Sequence, residues 1–188
     1  MIRSFLAIDL PESIKKVMVD YLQDLRQVPS SVKWVSPRQT HLTLKFFGSI
    51  SMETVGKISQ TLQKVISEYP RFNLGLKGIG AFPNLFRPRV IWTGLTGDKA
   101  RLAALHQIIE EALASLGIPK EERPFHPHLT LGRNKLNQIN EPLYQKLNGW
   151  GEKETDSFPV EELVLFKSDL TPTGPVYTKL ENFPLKRI

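Results

Sequence analysis

The chain has 188 residues, of which 40% are hydrophobic and 23% charged, so its length and composition fit an ordinary globular protein with a sizeable core. It has no cysteine, which excludes disulfides, thiolate metal sites and a cysteine nucleophile. The formal net charge is +6 and the pI is near 9.5; a basic surface favours a polyanionic partner, although many basic proteins bind no nucleic acid.

The first fifty residues predict three strands and a helix. An apolar strand over Arg3–Asp9 is too short for a signal or membrane segment. Pro11 is suited to the start of a helix, and strands at Lys33–Val35 and Thr40–Phe47 follow it. The helix is amphipathic, with these apolar residues on one face: Ile14, Val17, Met18, Tyr21, Leu22 and Leu25.

The middle of the chain predicts two further helices around a pair of strands. Ser51 is suited to the N-cap of the first helix, and Asp98 to that of the second, which Gly117 ends. The strands Phe72–Ile79 and Arg89–Leu95 flank a loop over residues 80–88 that is rich in Gly, Pro and Asn. The apolar stripes are Val55, Ile58, Leu62, Val65 and Ile66 on the first helix, and Leu102, Leu105, Ile109, Leu113 and Leu116 on the second.

The remaining elements determine the predicted fold class. A strand over Phe125–Gly132, a short helix over Glu141–Leu147 and strands at Glu161–Lys167 and Val176–Phe183 complete the chain. Helices and strands are interleaved, but consecutive strands are inconsistent with a parallel doubly wound sheet. We therefore expect one bilobal α+β domain over residues 1–188. In this pseudo-two-fold duplication, two mostly antiparallel sheets face a central cleft and the helices lie outside.

A four-residue motif occurs twice, as His41-Leu42-Thr43-Leu44 and as His128-Leu129-Thr130-Leu131, and contains two of the four histidines. Side chains alternate between the faces of a strand. Each motif therefore presents one imidazole and one hydroxyl on the same face and turns its leucines toward a core. If the two strands meet about a pseudo-two-fold axis, one pocket holds two imidazoles and two hydroxyls. The alternative is that both histidines only cap or line a core.

Such a pocket suits chemistry at phosphorus without a metal. A histidine with a pKa near ~6.5 can be neutral or charged at neutral pH, so one ring can take a proton from water while the other gives one to a leaving alkoxide. A 2',3'-cyclic phosphate is strained and holds its leaving oxygen opposite an open face. The hydroxyls of Thr43 and Thr130 can donate hydrogen bonds to the non-bridging oxygens, where charge develops.

Two basic residues lie close to the motifs in sequence. On a regular strand Arg133 would share the face of Leu131, away from the histidines. It reaches the phosphate only if the strand bends or ends near Gly132; otherwise it is a surface arginine. Lys45 is in phase with His41, where it could add positive potential at the edge of the pocket.

Other residues have competing interpretations. His126 is in phase with His128 and could complete a three-histidine zinc site with His41. However, Pro127 can turn His126 away, the first half has no matching pair, and a metal leaves the paired threonines unexplained. We therefore expect no metal and a packing role for His126. His106 is interpreted as a partly buried helix histidine. Three aromatic residues, Trp34, Phe82 and Trp92, are interpreted as residues of the core or the cleft wall, and Phe82 could stack on a base.

The paired motifs resemble those of the two-histidine phosphoesterases. Within that group the chain is similar to the bacterial and archaeal RNA 2',3'-cyclic phosphodiesterases, also called 2'-5' RNA ligases. The resemblance extends over nearly the whole chain. It includes residues 3–9, residues 33–35, the first motif through Gly48, residues 80–84 and 87–92, the second motif from Phe125 to Arg133, and residues 168–177.

This resemblance implies hydrolysis of an RNA 2',3'-cyclic end to a 2'-phosphomonoester without metal or other cofactor. It implies that His41 is the proton donor and His128 the acceptor, whereas the spacing alone allows the reverse. We expect RNA with a 2',3'-cyclic phosphate end, or a cyclic nucleotide, as partner, and a monomer in the cytoplasm that binds no membrane. Two alternatives stay open: ATP-independent 2'-5' ligation, and an RNA-binding module whose motifs serve recognition only.

Overall fold

The computed structural model describes residues 1–136, 138–172 and 174–187. The elements within them are β1 (Ile2–Asp9), α1 (Glu12–Arg26), β2 (Val32–Trp34), a 3-10 turn (Pro37–Gln39), β3 (His41–Ile50), α2 (Met52–Ile66), β4 (Phe72–Phe82), β5 (Val90–Gly97), α3 (Lys99–Ala114), β6 (Leu129–Asn134), α4 (Glu141–Asn148), β7 (Phe158–Val160), β8 (Glu162–Thr171) and β9 (Gly174–Pro184). None of the helices in these ranges is long and apolar enough to cross a membrane.

The strands form two antiparallel sheets. The four-stranded sheet has the order β3-β1-β8-β9, and the five-stranded sheet the order β2-β6-β5-β4-β7. The expected α+β fold with two antiparallel sheets is thus confirmed. Each sheet contains strands from both halves of the chain, since β8 and β9 complete the sheet of β1 and β3, while β2 lies at the edge of the other sheet. The two motif-bearing strands, β3 and β6, belong to different sheets.

The apolar side chains form two clusters of very different size. The larger core combines the apolar stripes of the four helices with the inner faces of both sheets. A small second cluster lies on the opposite face of the four-stranded sheet, because Phe5 and Ala7 alternate along β1 with Leu6 and Ile8 of the larger core. Its buried members are Phe5, Ala7, Val164 and Phe166, with Tyr177 packed against them. This cluster forms an apolar floor beside the first motif.

Several predicted boundaries moved for local reasons. The Ser51 hydroxyl caps α2 as expected and accepts a hydrogen bond from the Thr54 amide at 3.1 Å. Asp98 is at the N-cap position of α3, but its carboxylate accepts from the Asn73 amide at 2.9 Å instead. The strand predicted over Phe125–Gly132 begins only at Leu129, because Pro124 and Pro127 have no amide hydrogen to donate to a ladder. The three-residue strand β7 was not predicted.

Candidate active site

A cleft of about 690 Å³ contains all five residues that the sequence proposed for the site. The four-stranded sheet contributes His41 and Thr43 from β3. From the other sheet come Thr130 and Arg133 of β6, and His128 immediately before that strand. The structure thus brings together two motifs that are far apart in the sequence.

The two histidine rings are anchored in the same way. His41 Nδ1 lies 2.9 Å from the carbonyl oxygen of Gln39, and His128 Nδ1 lies 2.6 Å from the carbonyl oxygen of His126. A carbonyl oxygen can only accept, so Nδ1 carries the hydrogen in each ring. Nε2 is left available in both histidines, either as a proton acceptor or, when protonated, as a donor.

The surroundings of the two rings differ. His41 stacks on Phe5, with ring centroids 4.5 Å apart, and its centroid lies 5.1 Å from that of Tyr177, with the two ring planes nearly perpendicular. Burial lowers the pKa of His41, against the opposing effects of its bond to Gln39 and of the negative charge of Asp9. The ring centroid of His128 lies 5.1 Å from that of Phe82, again with nearly perpendicular planes, and 6.0 Å from that of Trp92. The apolar surroundings of His41 favour its neutral form in the free protein.

A β-bulge occurs at the same position of each motif. In the ladder of β1 and β3, Leu6 pairs with Lys45 and Ala7 with Thr43; in that of β5 and β6, Ile91 pairs with Gly132 and Trp92 with Thr130. Leu44 and Leu131 are therefore extra residues that have no residue opposite them in the neighbouring strand. Beyond each bulge, the side chains that face the cleft are those that would face the core on a regular strand. The second residue after the extra leucine, Phe46 or Arg133, therefore faces the cleft.

This reversal decides where the neighbouring residues lie. Arg133 lines the cleft, as the sequence allowed if the strand bends near Gly132. Phe46, the equivalent residue of the first motif, also lines the cleft with its side chain 58% exposed. The suggestion that Lys45 lies at the edge of the pocket was wrong, because the bulge turns it to the opposite face, where it is 3% exposed.

Lys45 instead links the two motif segments through a buried ion pair. Its Nζ lies 2.8 Å from the Glu110 carboxylate of α3 and donates to the Pro119 carbonyl oxygen at 2.8 Å. The same carboxylate accepts from the Glu121 amide at 2.8 Å. Glu110 thereby binds both the strand of the first motif and the segment that leads into the second.

His106 lies one helical turn before Glu110 on α3 and is partly buried, as expected. Its ring stacks on that of Phe125, with centroids 3.8 Å apart and planes at 5°. Burial lowers its pKa. Phe125 precedes the second motif, so this stack adds an apolar contact between α3 and the motif segment.

The polar groups of the cleft are available for a ligand. The hydroxyls of Thr43 and Thr130 have no hydrogen-bond partner among the described residues. Three cations, Arg3, Lys33 and Arg133, line the cleft, and no described carboxylate lies within ion-pair distance of them. The described lining residues include no Asp or Glu. The cleft is therefore electropositive and suited to an anion.

His126 lies apart from this set. It lines a separate cavity of about 260 Å³, on the other side of His128, together with Phe82, Trp92 and Lys99. The larger cleft, which contains His41, is not lined by the His126 side chain. In residues 1–136, 138–172 and 174–187, no three His, Cys, Asp or Glu side chains form a group that could hold a metal ion.

The cleft also contains residues that were not identified as site residues from the sequence, among them Arg3, Lys33, Phe46 and Tyr177. The phenol of Tyr177 has its pKa raised by burial, with Arg133 and Arg3 acting in the opposite direction, so it stays protonated and can donate a hydrogen bond. The bulges, which determine that Phe46 faces the cleft, leave no clear mark in the residue pattern.

The chain is similar to known proteins over nearly its whole length. A family model described as the 2'-5' RNA ligase superfamily matches residues 11–172. The chain is 32% identical over 184 residues to the RNA 2',3'-cyclic phosphodiesterase of Methanothermobacter thermautotrophicus. The aligned residues cover 98% of this chain and 99% of that protein. It is 34% identical over 181 residues to the protein of the same name from Methanocaldococcus jannaschii, covering 96% of this chain and 99% of that protein.

Solved structures show the same fold. A crystal structure of a Thermus thermophilus protein has a TM-score of 0.81 and 30% identity, with 98% of each chain covered. Escherichia coli LigT complexed with 3'-AMP has a TM-score of 0.77 and 27% identity, again with 98% of each chain covered. Since the family model matches most of its length and relatives above 30% identity cover nearly all of it, the chain belongs to the 2'-5' RNA ligase superfamily.

Proposed function

We propose that this chain is an RNA 2',3'-cyclic phosphodiesterase that uses its two motif histidines and no metal. The single observation that carries this proposal is the equivalent anchoring of His41 and His128, which leaves Nε2 free in both rings while both line one cleft. The relatives named RNA 2',3'-cyclic phosphodiesterase support the same activity.

In the proposed mechanism, Nε2 of neutral His128 takes a proton from water as the water oxygen bonds to phosphorus. The bond between phosphorus and the ribose O3' breaks and its electron pair stays on O3'. Protonated His41 then gives its Nε2 proton to O3', which leaves a 2'-phosphomonoester. Each role is typically worth ~10²–10⁴ in rate. This assignment of acid and base follows the family resemblance.

The lowered pKa of His41 bears directly on this assignment. A proton donor must be charged when the substrate binds, and burial favours the neutral ring in the free protein. The negative charge of a bound phosphate favours the imidazolium again. His41 would therefore become charged chiefly in the complex, where a ring with a lowered intrinsic pKa is also a strong proton donor.

The remaining groups are proposed to bind the phosphate. Thr43 and Thr130 present one free hydroxyl from each sheet, and hydrogen bonds from such donors strengthen as charge builds on the non-bridging oxygens. Arg133 adds a charge on the same side of the cleft as Thr130. The expected monomeric state and cytoplasmic location stay predictions.

The test is incubation with a short RNA that ends in a 2',3'-cyclic phosphate, in the presence of EDTA, with the product identified by NMR or mass spectrometry. We expect a 2'-phosphomonoester. Activity that is lost in EDTA and restored by zinc would reverse the metal-free proposal. Adding an RNA with a free 5'-hydroxyl tests 2'-5' ligation, in which that hydroxyl takes the place of water at phosphorus and a 2'-5' phosphodiester forms. Binding without turnover would indicate a recognition module instead.

A further inference from the structure

Two cations lie side by side at one end of the cleft. Lys33 of the edge strand β2 is directly opposite Arg133 of β6 in an antiparallel ladder, and both line the cleft. Residues that are directly opposite share a face of the sheet, with Cβ atoms about 4.5–5.5 Å apart. Like charges in such a pair destabilise the pairing of the strands. The pair therefore does not serve the stability of the sheet, which points to a role in binding.

The packing of β2 holds this pair in register. Val32 and Trp34, on the other face of β2, close over Gly132, where an added Cβ would lie 2.5 Å from a Val32 methyl carbon and 2.8 Å from the Trp34 ring. Gly132 is therefore the residue that allows β2 to approach β6 so closely. A one-residue slip would expose Val32, which is buried. The two charges are consequently fixed beside each other.

Nothing in the described part of the chain neutralises them. No described carboxylate lies within ion-pair distance of either residue, and the described residues lining the cleft include no Asp or Glu. In a folded protein, two adjacent unpaired cations in a concave site are stabilised when an anion binds between or beside them.

We propose that Lys33, beside Arg133, binds the phosphodiester immediately 5' to the cyclic end of the RNA. This inference rests on the function proposed above. Past the bulge, Arg133 is the next cleft-facing residue after Thr130, roughly 6–7 Å along β6. Lys33 lies beside Arg133 on the neighbouring strand β2, about 4.8 Å across the sheet. A cyclic phosphate closes the 3' end, so the chain continues only in the 5' direction. Its next phosphate lies one nucleotide away from the scissile one.

This subsite would distinguish RNA from a mononucleotide. A mononucleoside 2',3'-cyclic phosphate has no upstream phosphodiester, so it gains nothing from Lys33. A dinucleotide gains one charge-assisted contact, which is sensitive to salt because counterions are released when it forms.

The experiment compares three substrates that share the same reacting end: a mononucleoside cyclic phosphate, a dinucleotide with a natural phosphodiester, and the same dinucleotide with an uncharged methylphosphonate linkage. For the unmodified protein, kcat/KM should fall about fivefold when the linkage loses its charge. For Lys33→Ala, the natural and uncharged dinucleotides should react equally. Lys33→Arg should restore the difference, and Lys64→Ala on the outer helix α2 should behave as the unmodified protein.

The possible outcomes separate the subsite from the activity itself. If Lys33→Ala lowers kcat/KM equally for all three substrates, or the linkage charge has no effect on the unmodified protein, the subsite is wrong although the cyclic phosphodiesterase remains. If the unmodified protein turns over none of the substrates, the proposed function fails. Because Lys33 is exposed, the Lys33→Ala variant should fold. Its thermal unfolding is compared with that of Lys33→Arg and of the unmodified protein to check this.

Discussion

His41 and His128 are held by equivalent hydrogen bonds, each from ring Nδ1 to the carbonyl oxygen two residues earlier in the chain. The same anchoring fixes the same tautomer in both rings. The rings differ in their neighbours, since His41 lies against Phe5 and Tyr177 and has a lowered pKa, whereas His128 lies against Phe82 and Trp92. Two like groups can serve as acid and base when their surroundings move their pKa values apart.

Replacement of either motif histidine should abolish most of the turnover. We expect His41→Ala and His128→Ala each to lower kcat by at least ~10²-fold. The double variant should lose far less than the product of the two single losses, because the rings act as a unit. Steady-state kinetics on RNA with a cyclic end measure this, with thermal unfolding as the control for folding. Near-normal activity of either single variant would refute the assignment.

The pH dependence of kcat/KM should be bell-shaped, because the proposed roles need a neutral His128 and a charged His41. Burial lowers the pKa of His41 from its ordinary value of 6.5, so the limb that its titration sets should lie below pH 6.5. In kcat that limb should lie at higher pH, since the bound phosphate favours the imidazolium. Rates measured from about pH 5 to 9 test this, and a flat profile contradicts acid–base catalysis by the pair.

Asp9→Asn tests whether the titration of His41 limits the rate. The negative charge of Asp9 raises the pKa of His41, against the larger effect of burial. Removing that charge should move the limb of kcat/KM that the titration of His41 sets to lower pH. Lys179→Met is the matched control: Lys179 Nζ lies 2.8 Å from the Asp9 carboxylate, and its loss should move the same limb to higher pH. If neither limb moves in either variant, the titration of His41 does not limit the rate.

The threonines should affect catalysis more than binding. Thr43→Ala and Thr130→Ala each remove a hydroxyl that has no other partner among the described residues. We expect kcat to fall by on the order of 10² with a smaller change in KM, because these bonds strengthen in the transition state. Thr→Ser variants keep the hydroxyl and should stay close to the unmodified protein. A rise in KM with unchanged kcat would show that the hydroxyls only bind substrate.

Phe46→Ala should weaken the binding of substrates that carry a base. The ring is exposed in the cleft wall, and stacking on an aromatic ring contributes about 1–3 kcal/mol per base. KM for a nucleoside 2',3'-cyclic phosphate should therefore rise, whereas ribose 2',3'-cyclic phosphate, which has no base, should be unaffected. Phe46→Tyr keeps the ring and is the control. An equal rise in KM for both substrates would show that the ring only shapes the pocket.

The residue pattern was sufficient to predict most of what surrounds the histidines. Apolar periodicity located the four helices, and alternation placed His41 with Thr43 and His128 with Thr130 on shared faces. Alternation failed at the fourth residue of each motif, because Leu44 and Leu131 look like ordinary core leucines but are extra residues in their ladders. A bulge depends on the register of two strands far apart in sequence, which one strand does not encode. Lys45 was therefore misplaced, and Phe46 was missed.

The sheet composition was equally non-local. Strands β8 and β9 join β1, and β2 joins β6. Each strand is recognisable by itself, but pairing depends on which apolar faces complete the core. The neighbouring positions of Lys33 and Arg133 follow only from that pairing.

The buried pair of Lys45 and Glu110 should separate stability from catalytic geometry. Glu110→Ala leaves the buried Lys45 charge with only the partly exposed Glu121 carboxylate, 3.9 Å away, so we expect a loss of up to about 3–5 kcal/mol in the free energy of unfolding. Replacing both residues with methionine removes both charges, and such replacements are often neutral for stability. The double variant nevertheless loses the bonds to the Pro119 carbonyl and the Glu121 amide.

We therefore expect the double methionine variant to unfold near the temperature of the unmodified protein but to have a lower kcat, because the strand of one motif is no longer tied to the segment before the other. Denaturant unfolding and steady-state kinetics on the same preparation measure the two effects. The control is the pair of Lys146 and Asp24, 2.7 Å apart and partly exposed, between α1 and α4. Asp24→Ala should cost at most about 1 kcal/mol and leave kcat unchanged. A double methionine variant with normal kcat would show that the buried pair contributes to stability alone.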